Sequence, residues 1–252
     1  MPCVLILSSH VAASPVGGSA QVVALARRGI ETVLIPTVLF GRHPGLGPPG
    51  GGAVPIETFE DMLRGVQASG ALEGLDAVIS GYFASADQVA AAARTIDAVR
   101  AANPAARIVV DPIMGDHPKG LYVREEVALM IAADLVPRAD LVAPNAWELA
   151  RLLGAPITDP LGAARALGRP VLVSSIDRGA DIAVLYADGR EAWLASHRRI
   201  DNAPNGTGDR LTALFTAALL LGACPNEALR EAVAAVAVDV MGPTEVRLEA
   251  LA

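Results

Sequence analysis

Short apolar runs alternate along this chain with longer stretches in which apolar residues recur at helical spacing. The short runs are rich in Val, Ile and Leu, and they predict buried strands over residues 4–7, 32–35, 77–79, 108–110, 141–143 and 171–173. The longer stretches predict helices over residues 19–28, 58–69, 86–102, 125–135 and 146–153. Short strands separated by helices favour a parallel sheet that is covered on both faces.

The last third of the chain departs from this alternation. Residues 182–186 and 191–195, joined by an Asp188-Gly189 turn, predict a hairpin appended to the sheet. Two helices follow, over 211–221 and 226–240. Because no repeat and no linker interrupts the pattern, we expect one α/β domain over residues 1–252. Ligands of such sheets bind beyond the carboxyl ends of the strands.

Composition narrows the range of functions. The chain has 252 residues, 52% of them apolar, and a formal net charge of −7 with Lys119 as its only lysine. A nucleic-acid partner needs a basic face, so none is expected. No apolar stretch is long enough for a membrane span, and the two cysteines indicate no disulfide framework. We therefore expect a cytoplasmic protein with no membrane partner, and a mobile loop or lid at the glycine-rich residues 45–52.

A glycine-rich run before the helix at 211–221 is the strongest indication of chemistry. It is Asn205-Gly206-Thr207-Gly208-Asp209, in which two glycines permit a tight turn that directs backbone N–H groups towards an anion. A carboxylate beside a bound phosphate would be repelled by it, so Asp209 makes sense as a base for an attacking hydroxyl. The structural alternative is a turn in which Asp209 caps the helix.

Polar residues also follow two of the predicted strands. Asp111 directly follows the strand at 108–110, where a carboxylate is well placed for a metal-bound phosphate or caps the next turn. Asn145 and Glu148 follow the strand at 141–143, and their spacing puts both side chains on one face of a helical turn. Glu148 could hold Mg²⁺ through water and Asn145 could orient a phosphate, but the same pair is also an ordinary capping box.

The chain resembles the pyridoxal kinases of the ribokinase-like superfamily over nearly its whole length. The matching segments are Ser9-His10-Val11, Val16-Gly17-Gly18-Ser19, Thr37-Val38-Leu39-Phe40 with His43 and Gly47, Ser80-Gly81-Tyr82 with Ser85, Asp111-Pro112-Ile113-Met114-Gly115-Asp116, Ala143-Pro144-Asn145 with Glu148, and Gly206-Thr207-Gly208-Asp209. The resemblance implies a three-layer α/β/α sandwich with a largely parallel central sheet. It also implies ATP-dependent phosphorylation of the 5′-hydroxymethyl group of pyridoxal or a related B6 vitamer, with ATP and Mg²⁺ required, and a homodimer.

The resemblance also implies a role for individual residues. Asp209 would be the catalytic base, and the amides of Gly206 to Gly208 would form the anion hole. Mg-ATP would be organised by Asp111, Asn145 and Glu148, with Ser174 and Thr207 along the nucleotide and with Asp111 and Glu148 at the metal. The vitamer would be bound by Ser9, Val16, Phe40, His43 and Tyr82, next to Asp209.

Two departures from the family pattern bear on the substrate. The family commonly has Thr-Gln-Tyr where this chain has Pro44-Gly45-Leu46, which predicts a roomier and less polar pocket. Arg210 follows the base where a small residue is usual, and it could pair with phosphate or point to solvent. A hydroxymethylpyrimidine kinase is therefore an alternative within the same fold. A non-catalytic binder of the vitamer is a second alternative, although the base and anion loop argue against it.

Overall fold

The computed structural model describes residues 1–200, 203–241 and 244–251, and its elements follow the predicted alternation of strands and helices. The strands are β1 Cys3–Val11, β2 Glu31–Phe40, β3 Gly51–Ala53, β4 Ala77–Ser80, β5 Arg107–Val110, β6 Gly115–Asp116, β7 Gly120–Leu121, β8 Leu141–Val142, β9 Val171–Arg178, β10 Asp181–Ala187, β11 Ala192–Arg198 and β12 Arg247–Leu251. The helices are α1 Gly17–Ala26, α2 Ile56–Ala68, α3 Ala86–Ala102, α4 Glu125–Met130, α5 Ala146–Leu153, α6 Pro160–Ala166, α7 Thr207–Leu220 and α8 Pro225–Met241.

One sheet of ten strands runs through the described part of the chain, in the order β12-β11-β10-β9-β8-β5-β4-β1-β2-β3. The six central strands from β9 to β2 pair in parallel. The edges are antiparallel, with β3 on one side and the β10–β11 hairpin followed by β12 on the other. The predicted appended hairpin is thus confirmed. All the parallel strands end at the same side of the sheet, where the predicted site residues also fall.

Helices cover the sheet on both faces because successive side chains of each strand point in opposite directions. In β1, Leu5 and Leu7 belong to a core with α2, α3 and α4, whereas Val4 and Ile6 belong to a second core with α1, α7 and α8. A third core packs α5 and α6 against β9, β10 and β11. The prediction of a three-layer α/β/α sandwich is therefore confirmed.

The boundaries of several elements differ from the sequence prediction. Helix α7 begins at Thr207 rather than at residue 211, because its first turn is polar and lies outside the apolar pattern. The helix predicted over 125–135 is α-helical only for Glu125–Met130 and continues as a π turn over Ile131–Leu135. Part of the predicted loop at 45–52 is also ordered, since Pro44–Leu46 forms a 3₁₀ turn and β3 pairs with β2.

Five elements were missed, namely α6, β12 and the strands β3, β6 and β7, which have only two or three residues each. Helix α6 has only 7 residues, although Asp159 caps it by accepting a hydrogen bond from the N–H of Leu161 at 3.1 Å, with Pro160 at its first position. Strand β12 mixes exposed and half-buried residues, so it lacks a buried apolar run. In the described ranges, no helix has the length and apolar character that crossing a membrane requires.

We expect the packing of the central strands to determine the stability of the fold. Truncation of one buried side chain tests this expectation. Ile79 in β4 is fully buried, whereas Leu129 in α4 is 60% exposed. We expect Ile79→Ala to lower the free energy of unfolding by about 2–5 kcal/mol, since it removes packing and leaves a cavity. Leu129→Ala, the matched control, should stay within about 0.5 kcal/mol of the unsubstituted protein in chemical denaturation. Similar losses for both variants would contradict this assignment of the core.

Candidate active site

A cavity of about 760 Å³ lies at the carboxyl ends of the parallel strands. It is large enough for a nucleotide or another small molecule. It brings together every site residue predicted from the sequence, although their roles stay predictions: Ser9, Val16, Phe40, His43, Tyr82, Asp111, Asn145, Glu148, Ser174, Gly206, Thr207, Gly208 and Asp209.

The first turn of α7 forms one wall of this cavity. Gly206 is the N-cap residue in the left-handed conformation, with φ of 91°. A Cβ atom at Gly206 would lie 2.1 Å from the carbonyl oxygen of Pro15, so both the conformation and the close approach require glycine. The helical hydrogen-bond ladder begins with the N–H of Arg210, which donates to the oxygen of Gly206 at 3.1 Å. The N–H groups of Thr207 and Gly208 precede this ladder, at the positive end of the helix dipole.

Asp209 occupies the third position of α7 and turns its carboxylate towards α1. Its Oδ2 accepts a hydrogen bond from the N–H of Gly17 at 2.8 Å. Its Oδ1 is buried and has no hydrogen-bond partner among the described residues. Asp209 is therefore not the helix cap, because Gly206 holds that position, and the structural alternative for this residue is wrong. Burial raises the pKa of Asp209 to about 6, against the opposing effect of the bond from Gly17.

Gly17 is a site residue that the sequence analysis did not identify. It lies at the start of α1 with φ of 56°, and a Cβ atom there would lie 1.9 Å from Oγ of Ser9. The tight approach to Ser9 goes with an N–H group that donates to Asp209, and all three residues line the cavity. Gly17 occurs in a segment that matches the family, but nothing local in the sequence indicates that its partner is 192 residues away.

Asp111 follows β5 and is 6% exposed. Its Oδ2 accepts a hydrogen bond of 2.8 Å from Oγ1 of Thr212, which lies three residues after Asp209 on the same face of α7. Burial raises the pKa of Asp111 well above its ordinary value, and the charges of Asp209 and Glu148 raise it further. Thr212 was not predicted, although the helical spacing from Asp209 could have identified it.

Asn145 and Glu148 form a complete capping box at the start of α5. Oδ1 of Asn145 accepts from the N–H of Glu148, and Oε2 of Glu148 accepts from the N–H of Asn145, both at 2.9 Å. The same two side chains also reach the segment after β5. Nδ2 of Asn145 donates to the oxygen of Gly115 at 2.8 Å, and Oε1 of Glu148 accepts from the N–H groups of Met114 and Gly115 at 2.8 and 3.3 Å.

Glu148 is 3% exposed, which has a consequence for its charge. Burial raises the pKa of Glu148 to about 8, although the three backbone hydrogen bonds favour the ionised form and oppose this rise. Asp111, Glu148 and Asp209 thus form a set of buried carboxyl groups, each of which holds its proton more tightly than it would in water. Such a set favours a bound cation.

The far side of the cavity is built on β9. Ser174 follows the buried residues of this strand, and its N–H donates to the oxygen of Pro144 at 2.9 Å. Ser175 also lines the cavity and has φ of 60°, a left-handed conformation that is uncommon for a residue with a side chain. No sequence signal marks Ser175.

The opposite half of the cavity is more apolar. Val16, Phe40 and Tyr82 line it together with Ser9 and His43. Two hydrogen bonds hold the backbone of Tyr82. Oγ1 of Thr37 donates to the carbonyl oxygen of Tyr82 at 2.7 Å, and the N–H of Tyr82 donates to Oγ of Ser8 at 3.2 Å. An apolar wall with a few polar atoms suits a flat aromatic ring with polar substituents.

His43 is oriented by the segment that departs from the family pattern. The N–H of Gly45 donates to Nδ1 of His43 at 3.0 Å, so a neutral imidazole must carry its proton on Nε2. Leu46 is 64% exposed and does not line the cavity, whereas Pro44 and Gly45 do. The Pro44-Gly45-Leu46 run therefore presents no polar side chain to the pocket and acts on His43 through its backbone.

Arg210 is directed away from the cavity. It forms an ion pair with Asp239 on α8, and its side chain is 22% exposed. Neither option considered from the sequence, a phosphate partner or open solvent, describes this arrangement. The pair instead joins α7 to α8 behind the base.

Comparisons with known proteins agree with this arrangement. A model of the phosphomethylpyrimidine kinase family matches residues 54–248. The pyridoxine/pyridoxal/pyridoxamine kinase of Bordetella avium is 36% identical over 237 residues, which cover 90% of this chain and 80% of that protein. Pyridoxal kinase PdxY of Corynebacterium diphtheriae is 35% identical over 224 residues, covering 84% and 79%. The solved pyridoxal kinase of Leishmania donovani, in complex with ADP and pyridoxamine, has a TM-score of 0.87 at 22% identity and covers 100% of both chains.

The fold and the comparisons together define a ribokinase-like phosphotransferase that acts on an alcohol group. Within that class, the chain belongs to the phosphomethylpyrimidine kinase family, among its pyridoxal kinases.

The two glycines at the start of α7 are close in sequence but differ in their surroundings. Substituting each with alanine therefore gives a test variant, Gly206→Ala, and a matched control, Gly208→Ala. Gly206→Ala forces a side chain into the left-handed region and against Pro15, so we expect it to lower the free energy of unfolding by about 1–3 kcal/mol. Nothing lies within 4 Å of a Cβ atom at Gly208, so Gly208→Ala should not lower stability. Chemical denaturation measures both variants, and equal stability of the two would show that the contact with Pro15 is unimportant.

Proposed function

We propose that this protein transfers the γ-phosphoryl group of ATP to the 5′-hydroxymethyl group of pyridoxal or a closely related B6 vitamer. The products are ADP and the vitamer 5′-phosphate. One observation carries the proposal: Asp209 lines the same cavity as the apolar side chains of Val16 and Phe40 and as Thr207 and Gly208, whose N–H groups open α7. A base beside an anion site is what phosphoryl transfer to an alcohol requires.

In the proposed reaction, Asp209 accepts the proton of the 5′-hydroxyl group while that oxygen attacks the γ-phosphorus and the bond to the ADP oxygen breaks. Gly17 holds the carboxylate in place by its hydrogen bond to Oδ2. The N–H groups of Thr207 and Gly208, with the helix dipole, stabilise the negative charge on the moving phosphoryl group. Most of the catalysis then comes from positioning and charge stabilisation.

The site residues fit a magnesium ion. Mg²⁺ prefers carboxylate oxygens and water, and it neutralises phosphate charge when it is bound with a nucleotide. Asp111 and Glu148 supply carboxylates whose pKa values are raised by burial, and for Asp111 also by its charged neighbours. Among the described residues, no group of three or more His, Cys, Asp or Glu side chains could hold a metal alone. Asp111 and Glu148 would therefore hold Mg²⁺ together with phosphate oxygens or water, with Asn145 positioning Glu148.

The apolar half of the cavity supports a heteroaromatic substrate. We assign Ser9 to a hydrogen bond with the pyridine ring, and Val16, Phe40 and Tyr82 to contacts with its faces. His43 would offer an Nε2–H donor to a polar substituent, since Gly45 occupies Nδ1. Ser174 and Thr207 would lie along the nucleotide.

The names of the relatives support a B6 vitamer as the substrate, because the Bordetella avium protein is a pyridoxine/pyridoxal/pyridoxamine kinase. The family model is named for phosphomethylpyrimidine, which keeps hydroxymethylpyrimidine as a second candidate. The homodimer and the cytoplasmic location stay predictions, as does a single domain over residues 1–252. The continuous sheet from β1 to β12 supports the single domain.

The test is vitamer-dependent release of ADP from ATP with Mg²⁺, measured for pyridoxal, pyridoxine, pyridoxamine and hydroxymethylpyrimidine. We expect turnover of at least one B6 vitamer. Asp209→Asn should lower kcat by at least about 100-fold because it removes the base. Its affinity for ATP, measured by calorimetry, should stay near that of the unsubstituted protein. Retained turnover in the variant would exclude Asp209 as the base, and preference for hydroxymethylpyrimidine would favour the second candidate.

The raised pKa of Asp209 predicts a pH dependence of the reaction. The base works only when it is ionised, so kcat/KM should rise with pH through about 6 and reach a plateau above it. An Asp with its ordinary pKa of 3.8 would instead keep full activity down to about pH 5. A profile of kcat/KM between pH 5 and 8 separates the two, and a flat profile would contradict the assignment.

A further inference from the structure

Lys119 is the only lysine of the chain, and no role has yet been assigned to it. It lies in the hairpin formed by β6 and β7, and its side chain lines the cavity. The cavity lining as described includes four carboxyl groups, at Asp111, Asp116, Glu148 and Asp209, but no arginine. Lys119 is thus the single permanent cation among the described lining residues.

This charge distribution is unfavourable for the binding of a nucleoside triphosphate. The phosphates carry several negative charges, and each carboxyl group that is ionised beside them repels those charges in a partly buried site. Backbone N–H groups and a metal ion offset part of this repulsion. The terminal phosphate needs a further positive group when it leaves ADP, and Lys119 is the side chain available to supply it.

Lys119 lies in the cavity lining next to Asp116 and Tyr122, which also line the cavity. Its Nζ lies 3.8 Å from Oδ2 of Asp116 and 5.7 Å from the centre of the Tyr122 ring. Asp116 follows Gly115, whose N–H donates to the carboxylate of Glu148, one of the residues proposed to organise the nucleotide. Burial lowers the pKa of His43 and the charge of Lys119 lowers it further, so Lys119 lies within electrostatic reach of His43, one of the residues proposed to bind the vitamer.

Lys119 is also free to move towards a ligand. Its side chain is 60% exposed, and its contact with Asp116 is longer than a hydrogen bond. An ammonium group on a flexible stem re-aims at little cost, and a surface contact of this kind holds it weakly.

We propose that Lys119 binds the phosphoryl group that is transferred, contacting the terminal phosphate of ATP and then the 5′-phosphate of the product. The proposal rests on the proposed kinase function, and it adds a phosphate-binding side chain to a site that otherwise relies on backbone N–H groups. It specifies that Lys119 distinguishes ATP from ADP, because only ATP carries the group it contacts.

The first test compares two substitutions with the same loss of charge. Lys119→Gln should lower kcat/KM by about 10- to 100-fold, and it should lower the affinity for a non-hydrolysable ATP analogue by a similar factor. ADP affinity should change by less than about threefold, since ADP lacks the terminal phosphate. Arg124→Gln is the control, because Arg124 is exposed, pairs with Glu126 and lies outside the cavity lining. The kcat/KM of Arg124→Gln and its affinities for the ATP analogue and for ADP should match those of the unsubstituted protein.

The second test uses the single lysine directly. N-hydroxysuccinimidyl acetate acetylates amines in preference to other groups, and the amines of this chain are Lys119 and the terminal α-amine. Mass spectrometry of the peptides follows each of the two. The ATP analogue should slow acetylation of Lys119 by about tenfold at saturation, ADP should slow it much less, and the α-amine serves as the internal standard.

Equal protection by ATP analogue and ADP, or Lys119→Gln with unchanged affinity for the analogue, would overturn the proposal. Failure of the kinase function looks different. In that case the unsubstituted protein turns over no vitamer, while protection of Lys119 by the analogue still shows that the lysine contacts the terminal phosphate.

Discussion

The hydrogen bond from Gly17 to Asp209 joins the two parts of the chain on which the site depends. It connects residues 192 positions apart at a distance of 2.8 Å. On one side, Gly17 fits only because it has no side chain to meet Ser9, and on the other, Gly206 fits only because it has none to meet Pro15. The two backbone segments therefore approach closely enough for a main-chain N–H to fix the orientation of the carboxylate. The packing of α1 and α7 in one core maintains that approach.

The same closeness creates an electrostatic cost. Asp111, Glu148 and Asp209 are brought together at the end of the sheet, and burial raises the pKa of each. Hydrogen bonds offset part of this cost, from Thr212 to Asp111 and from backbone N–H groups to Glu148 and Asp209. A cation that enters with the nucleotide would offset more of it. The ligand-free site is thus arranged for a bound state in which its charges are balanced.

The sequence was sufficient for most of the fold. Strongly apolar runs predicted the central strands, and the 86–102 and 146–153 helices were predicted with the bounds that α3 and α5 have. The pattern failed where burial is partial or the element is short, as in β12 and α6. It also placed the start of α7 too late, because the residues that open this helix are polar and serve the cavity instead of the core.

The candidate site was predicted in outline because strand ends and glycine loops have local signals. Asp111, Asn145 and Asp209 were found in this way, and the cavity contains them all. Gly17 was not assigned, because its importance lies in a contact across 192 residues. Thr212 was not assigned either, although it lies three residues after Asp209 on one face of α7. Lys119 was noticed only as a feature of composition. Its relevance depends on the other charges of the cavity, which no segment of the sequence displays.

The capping box of α5 shows why a structural and a functional interpretation need not exclude each other. Asn145 and Glu148 make every bond that an ordinary cap requires. Those bonds leave the Glu148 carboxylate directed at the segment after β5, where it accepts the N–H groups of Met114 and Gly115. The cap therefore orients a buried carboxylate that water would otherwise solvate, and it ties that carboxylate to the segment leading to Asp116 and Lys119. A local motif that looks purely structural in sequence therefore places, in this fold, a buried carboxyl group in the cavity.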